Sequence, residues 1–194
     1  MIKVGITGGI GSGKTTVCNL LASMEYPVFD ADTIAKQLMN NDPQLVEQIT
    51  TTFGTDAYTD GTLNRPFLAK QVFSNKENIE LLNSLVHPRV GIAFDNWSTE
   101  NRENKIIIKE AALLIESGSY KNLDKLILVQ ADEQTRIKRV LERDTQRSEA
   151  DIKRIIANQL PESEKEPLAD FIISNDGSQS VIEQMNKVLK ELEV

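Results

Sequence analysis

The chain has 194 residues, of which 40% are hydrophobic and 26% charged, and its formal net charge is -7 at pH 7. This length and composition are typical of one α/β unit with a single compact core and one or two smaller additional segments. The acidic balance argues against broad binding to nucleic acids or anionic membranes, and no apolar run approaches membrane-spanning length. We therefore expect a cytoplasmic protein with no nucleic-acid, membrane or obligate protein partner.

The first motif along the chain is residues 8–15, which match the phosphate-binding pattern G-x-x-x-x-G-K-[ST]. A predicted strand, residues 3–7, precedes the motif, and a helical pattern follows it with apolar residues at Val17, Leu20, Leu21 and Met24. A strand, a glycine-rich turn and a helix N-terminus together bind phosphate through backbone N–H groups. The motif therefore predicts a P-loop that binds a nucleotide.

Each residue type in the P-loop has an expected role. Lys14 should reach the β- and γ-phosphates, and the Thr15 hydroxyl should coordinate Mg²⁺. The backbone N–H groups that hold the β-phosphate should come from Gly11, Ser12, Gly13, Lys14, Thr15 and Thr16.

Five apolar runs predict buried parallel strands at residues 3–7, 27–29, 106–108, 126–129 and 171–173. Helical patterns separate these runs, which indicates a parallel sheet covered by helices on both faces. We expect the second strand to lie next to the P-loop strand. Ligands collect at the carboxyl ends of such strands, so the candidate residues there are Asp30, Asp32, Glu110, Asp132, Asn175 and Asp176.

Two long stretches interrupt the alternation of strands and helices. The stretch from about residue 34 to residue 96 has helical periodicity and little strand signal, so it predicts a helical insertion. The stretch from about residue 132 to residue 161 is dense in arginine, lysine and acids. Such a run is usually a solvated helix face, but beside a P-loop it also suits a lid that closes over phosphates.

For three carboxylates and for the single histidine, the sequence leaves more than one role open. Asp30 or Asp32 could approach an acceptor hydroxyl or a water on the metal, or could cap a helix that begins at Thr33. Glu110 could bind the metal or be an ordinary loop acid. His87 precedes a proline at the end of a helical pattern and is more typical of a structural hydrogen-bonding group than of a catalyst.

The single cysteine, Cys18, lies on the predicted helix after the P-loop, which favours a buried small hydrophobe over a reactive thiol. It can form no intramolecular disulfide, and one histidine with one cysteine argues against a structural zinc site.

Several motifs in order along the chain resemble the dephospho-CoA kinase family. Residues 6–16 are similar to the family's narrower P-loop, Asp30-Ala31-Asp32 to its acidic motif, and residues 113–118 to a motif after the third strand. The other similar segments are residues 60–65 with Leu68, Val72 and Phe73, residues 87–90, Arg139 with Arg143 and Asp144, residues 169–170 and residues 175–177. The resemblance covers nearly the whole chain.

The resemblance implies a P-loop NTPase-type α/β fold with a helical acceptor-binding insertion and a helical lid. The core would contain residues 1–31, 97–131 and 162–194, the acceptor domain residues 32–96, and the lid residues 132–161. The implied reaction transfers the γ-phosphoryl group of ATP to the ribose 3′-hydroxyl of dephospho-CoA with Mg²⁺, and its products are CoA and ADP.

The resemblance also implies roles for single residues. Asp32 would receive the proton of the acceptor hydroxyl, and Arg139 would stabilise the transferring phosphoryl group together with Lys14. Arg143 and Asn175 would bind the nucleotide, and Glu110 would bind the metal with Thr15. The implied acceptor-binding residues are Arg65, His87 and Arg89.

The chain departs from the family pattern at three positions, since the family usually has an aspartate at Glu110, a proline at Ala112 and an aspartate at Asn64. A kinase of another small acceptor, such as a nucleoside monophosphate, is the main alternative. A GTPase switch would carry N-K-x-D and D-x-x-G motifs, which the chain lacks. A pure binding module would have no use for the arginine-rich stretch or the Asp32 region.

Overall fold

A computed structural model describes residues 1–73 and 75–193, and the side chain of Phe73, one of the acceptor-motif residues, lies outside the described part. The strands are β1 (Ile2–Thr7), β2 (Val28–Asp30), β3 (Tyr58–Thr59), β4 (Thr62–Leu63), β5 (Ile106–Glu110), β6 (Lys125–Gln130) and β7 (Phe171–Ser174). The helices are α1 (Lys14–Ser23), α2 (Ala31–Asn41), α3 (Pro43–Phe53), α4 (Arg65–Phe73), α5 (Lys76–Glu100), α6 (Glu133–Arg143), α7 (Glu149–Ala157), α8 (Glu162–Lys165) and α9 (Val181–Leu192).

The chain divides into two compact units. The first contains Met1–Asp30 and Asn101–Val194, and the second contains Ala31–Glu100. Within residues 1–73 and 75–193, no helix is both long enough and apolar enough to cross a bilayer. The functional division into core, acceptor domain and lid stays a prediction.

The first unit is built on a five-stranded sheet in the order β2-β5-β1-β6-β7, with every neighbouring pair parallel. The predicted parallel sheet is confirmed, and each of the five apolar runs lies in or at the start of one of its strands. The expected position of the second strand is wrong, because β5 lies between β2 and β1. Strand order could not be read from the sequence because any buried apolar run can make the same backbone hydrogen bonds to either neighbour.

The main core of the first unit packs α1 and α9 against the sheet. Helix α1 buries Val17, Cys18 and Leu21, which confirms the buried cysteine. Met24 is 40% exposed because the helix ends at Ser23 and the chain then turns through Glu25, whose φ is 66°. The predicted apolar stripe is therefore one residue too long.

The second unit consists of helices α2 to α5 and one short hairpin. Strands β3 and β4 pair antiparallel around Asp60 and Gly61, both with positive φ, in a short hairpin that the sequence did not predict. The strands have two residues each, which is too short for a period-2 pattern to be seen. Helix α5 continues through Pro88 to Glu100, so His87 lies within the helix and not at its end.

Asp42 joins two helices of the second unit. It is 7% exposed, and its carboxylate accepts hydrogen bonds from the backbone N–H groups of Gln44 and Leu45 at the start of α3. Its other oxygen accepts from Arg89 Nε on α5 at 2.6 Å. Burial opposes ionisation of this carboxyl, but the bonds from Arg89 and from the backbone outweigh burial and lower the pKa of Asp42.

We predict that Asp42→Asn lowers the stability of the protein by roughly 1–3 kcal/mol at pH 7, since it weakens a helix cap and an ion pair. A lowered folded-state pKa means that the ionised carboxylate stabilises the fold above about pH 4, and that this stabilisation is lost as the pH falls further. Thermal unfolding between pH 7 and pH 3 should therefore show a smaller acid-induced decrease of Tm in the variant. The same change at exposed Asp95 is the control and should leave the acid profile unaltered.

Candidate functional site

The P-loop lies between the end of β1 and the start of α1, in a conformation that requires glycine. Gly11 and Gly13 have φ angles of 79° and 96°, in the left-handed region. A Cβ at Gly11 would collide with the backbone carbonyl of Arg136, and one at Gly13 with the amide nitrogen of Asn175. Both positions are thus restricted by backbone conformation and by close neighbours.

Two predicted site residues donate hydrogen bonds to the carbonyl of Ser12 in the P-loop. Asn175 Nδ2 donates to this oxygen at 2.9 Å, and Arg139 Nη1 donates to it at 3.5 Å. The Ser12 hydroxyl is buried and has no hydrogen-bond partner among the described residues. The structure therefore places Arg139 and Asn175 beside the glycine-rich turn, from helix α6 and from the end of β7.

Lys14 folds over the P-loop from the first turn of α1. Its Nζ donates to the carbonyls of Gly8 at 2.9 Å and Gly9 at 3.3 Å. The neighbouring Thr15 and Thr16 are exposed. The ammonium group, the exposed hydroxyls and the positive end of α1 together form a surface suited to an anion.

Two carboxylates end neighbouring strands on the same edge of the sheet as the P-loop. Asp30 is the last residue of β2, Glu110 is the last residue of β5, and the two are register partners. Burial and the Glu110 carboxylate raise the pKa of Cys18, which donates a hydrogen bond to Glu110, while the charge of Lys14 acts in the opposite direction. Cys18 therefore lies close to Glu110 and within the electrostatic influence of Lys14.

The remaining candidates after strand ends have local structural partners. Asp132 accepts from the N–H of Thr135 at 2.9 Å and so caps α6. Asp176 accepts from the N–H of Ser178 at 2.8 Å in the loop before α9. Asp32 is exposed in the first turn of α2, which begins at Ala31 and not at Thr33 as expected.

The arginines of the predicted lid stretch differ in their environments. Arg139 contacts the P-loop as described, whereas Arg143 is exposed at the end of α6 next to Asp144. Arg136, which belongs to the same charged stretch, is only 7% exposed and so is not part of a solvated helix face. The sequence could not show which of these arginines is buried and which is exposed, because both kinds occur at the same spacings in a charged helical pattern.

The predicted acceptor residues all lie in the second unit. Arg65 begins α4 and lines two depressions of about 480 and 260 Å³. Arg89 pairs with Asp42 at 2.5 Å and donates to Gln44 at 2.8 Å, while His87 is exposed on α5. Roles for these three residues in acceptor binding stay predictions, and Arg89 has a structural partner in any case.

The residues near the P-loop suit Mg²⁺ bound together with a nucleotide. Within the described residues, no group of three or more His, Cys, Asp or Glu side chains is arranged as a metal cage. Such a cage is not expected, since nucleotide-bound Mg²⁺ usually takes one or two protein ligands, phosphate oxygens and water. The exposed Thr15 hydroxyl beside a glycine cradle and the carboxylate of Glu110 fit this donor set.

The comparisons with known proteins agree with this geometry. The family model for dephospho-CoA kinase matches residues 2–180. Relatives of that name include proteins of Chlorobium chlorochromatii, 40% identical with coverage of 98% of this chain and 92% of the relative, and of Bacteroides fragilis, 36% identical with coverage of 97% and 91%. The chain belongs to the dephospho-CoA kinase family.

Solved structures support the same assignment. A Thermus thermophilus protein is 34% identical and aligns with a TM-score of 0.85 over 98% of this chain and 97% of its own. The dephospho-CoA kinase of Campylobacter jejuni is 28% identical and aligns with a TM-score of 0.70 over 98% and 96%. A shikimate kinase of Bacteroides thetaiotaomicron, at 15% identity and a TM-score of 0.52, shares the fold alone.

The structure gives a local explanation for one departure from the dephospho-CoA kinase pattern. Asn64 precedes α4, and its Oδ1 accepts from the N–H of Phe67 at 3.2 Å, so an amide caps the helix where the family usually has a carboxylate. The alanine at position 112 has no such explanation, because the hydrogen bond that its carbonyl accepts from the Thr7 hydroxyl at 3.3 Å is also open to a proline.

Sequence reasoning gave no individual role to Arg136 and Gln159, which contact the P-loop, or to Lys165, which pairs with Glu116. Arg136 lies one turn before Arg139 on α6, and this i, i+3 spacing was the only available signal that both face the loop. Lys165 is fully buried and Gln159 reaches back to Ile10. Nothing in their sequence context distinguishes them from surface residues.

We predict that Gly11→Ala weakens binding of ADP by at least tenfold, because the added Cβ forces the turn away from Arg136. Gly118→Ala is the matched control, since Gly118 has a similar φ of 72° but its added Cβ would meet no described atom within 4 Å. The control should cost about 1–2 kcal/mol of stability from backbone strain alone. Titration calorimetry with ADP and thermal unfolding of both variants would separate the two effects, and equal ADP affinities would contradict the prediction.

Proposed function

We propose that the protein transfers the γ-phosphoryl group of ATP to the ribose 3′-hydroxyl of dephospho-CoA, which gives CoA and ADP in the last step of coenzyme A synthesis. The observation that carries the proposal is the P-loop with Arg139 and Asn175 bound to its Ser12 carbonyl, in a chain that belongs to this kinase family.

Phosphoryl transfer depends mainly on positioning and on stabilisation of the spreading phosphoryl charge. In the proposal, Gly11, Ser12, Gly13, Thr15 and Thr16 hold the phosphates through backbone N–H groups. Lys14 leaves its loop carbonyls to neutralise the β- and γ-phosphates. Arg139, which already touches the loop edge, stabilises the group in transfer, and Asn175 and Arg143 bind the nucleotide.

Mg²⁺ is the proposed metal, held by Thr15 and Glu110. When bound, it neutralises phosphate charge and orients the phosphates for in-line attack. Glu110 has one methylene more than the usual aspartate, and it accepts a hydrogen bond from Cys18.

Asp32 is the proposed acceptor of the hydroxyl proton, and its support is the resemblance of the Asp30-Ala31-Asp32 motif together with its exposed carboxylate. Arg65, His87 and Arg89 are proposed to bind dephospho-CoA. Arg65 has the strongest support of these, since it lines two depressions within the second unit.

The lid role of residues 132–161 is also part of the proposal, because closure would exclude water that could hydrolyse ATP. A cytoplasmic location stays a prediction, as does the absence of nucleic-acid, membrane and obligate protein partners. A kinase of another small acceptor is disfavoured by membership of this family.

The test of the function is ADP release from Mg-ATP with dephospho-CoA, with AMP, CMP and adenosine as parallel acceptors and EDTA as the metal control. We expect turnover with dephospho-CoA alone and its loss in EDTA. Turnover only with a monophosphate, or equal turnover without any acceptor, would assign the protein to another kinase activity or to an ATPase.

We predict that Asp32→Asn lowers kcat about 10²- to 10⁴-fold with ATP affinity near wild type, as expected for loss of a general base. Arg139→Ala should lower kcat about 10³- to 10⁵-fold, the range for an arginine that stabilises a phosphoryl transition state. Asp56→Asn and Lys138→Ala, both at exposed positions, are the controls for the loss of a carboxylate and of a cation. Steady-state kinetics with both substrates gives the result, and near-wild-type kcat would remove the residue concerned from catalysis.

A further inference from the structure

The tip of the P-loop, residues 9–11, is contacted from outside by two side chains that the proposed reaction does not use. Gln159, just after α7, accepts a hydrogen bond from the N–H of Ile10 at 3.0 Å through its Oε1. Arg136, on α6, places its guanidinium against Gly9 and its backbone against Gly11, so that a Cβ at either glycine would collide with it. We call Arg136 and Gln159 the brace.

The hydrogen bond from Ile10 orients one peptide group of the loop. In a trans peptide the N–H and the carbonyl point in opposite directions. The N–H of Ile10 points outward to Gln159, so the Gly9 carbonyl of the same peptide points inward. That carbonyl accepts from the N–H of Ser12 at 3.2 Å and from Lys14 Nζ at 3.3 Å. Gln159 thus fixes the orientation of the Gly9–Ile10 peptide plane. The turn at Ser12 and the position of the Lys14 side chain both depend on that orientation.

The brace is itself anchored by buried charges. Arg136 Nη1 lies 3.4 Å from Glu162 Oε1 on α8. Lys165, fully buried at the end of α8, lies 2.7 Å from Glu116 Oε1, and that same oxygen accepts from the N–H of Leu160 at 3.2 Å. Because Leu160 follows Gln159, the Lys165–Glu116 pair fixes the backbone from which Gln159 reaches the loop.

Stability alone is a poor explanation for this arrangement. Buried ion pairs are often no more stabilising than apolar side chains of similar volume. Burial raises the pKa of Glu162 despite the opposing charges of Arg136 and Lys165, and Arg136 Nε, Glu162 Oε1 and Lys165 Nζ lack a hydrogen bond of good geometry among the described residues. The free-energy cost of burying these charged groups is better explained by a requirement that the P-loop keep one conformation.

We propose that Arg136 and Gln159 are positioning residues that hold residues 9–11 in the conformation that binds the nucleotide phosphates, an inference that rests on the proposed binding of ATP. Neither residue needs to touch the nucleotide. Loss of the brace should therefore weaken nucleotide binding and leave the acceptor and the chemical step almost unaffected.

The test uses Gln159→Leu, which removes the acceptor atom, and Gln159→Asn, which keeps a polar amide but is one methylene shorter and protects against a failure of the leucine variant to fold. Gln48→Leu, at an exposed position on α3, is the matched control. The measurements are KM for ATP, KM for dephospho-CoA, kcat, ADP affinity by calorimetry, and amide hydrogen exchange of Ile10 by NMR in the full chain.

Both Gln159 variants should raise KM for ATP and the Kd for ADP roughly 2- to 12-fold, the usual range for one hydrogen bond. Exchange at Ile10 should be faster, and KM for dephospho-CoA and kcat should stay within about twofold of wild type. Unchanged ADP affinity and Ile10 exchange would overturn the proposal, as would an equal change in both KM values with a lower Tm, which indicates a structural role alone.

The failure of the proposed function is distinguishable from the failure of the brace. A wild-type protein without dephospho-CoA-dependent turnover would contradict the function. The ADP affinity and the Ile10 exchange of the variants would still decide the role of Gln159, because neither measurement needs the acceptor.

Discussion

The structure of the first unit depends on one constraint: residues 8–13 must curl so tightly that their N–H groups can surround an anion. That curl needs positive φ angles at Gly11 and Gly13 and leaves no room for a side chain at either. Strand β1 delivers the chain to this point, and α1 leaves it with its positive end toward the same space. The sheet and the surrounding helices then supply the walls that keep the turn in place.

Helix α6 contacts the P-loop through two arginines that differ in solvent exposure. Arg139 reaches the Ser12 carbonyl from a partly exposed position, where its charge is available to a phosphoryl group. Arg136, one turn earlier, is buried beneath Gly9 and Gly11 and pairs with Glu162. The same residue type is therefore partly exposed in one place and buried against the protein backbone in the other, and the catalytic role of Arg139 stays a proposal.

The arginines of the second unit have two different environments. Its clearest polar contact, Asp42 with Arg89, joins two helices and caps one of them. Arg65 instead lines open depressions, where a ligand has space to bind. The geometry thus distinguishes Arg89, which has a structural partner, from Arg65, which lines open depressions, and a role of this unit in acceptor binding stays a proposal.

The sequence by itself determined the P-loop, the five core strands, the helical insertion and the family, because these depend on local patterns of glycine, lysine and apolar residues along the chain. It did not determine the position of β2 beyond β5, the short β3–β4 hairpin or the course of α5 through Pro88. Nor could it separate buried Arg136 and Lys165 from solvated cations, or join Gln159 to Ile10 across 149 positions. Those features depend on tertiary contacts between residues that are distant in the sequence, and local sequence patterns do not indicate such contacts.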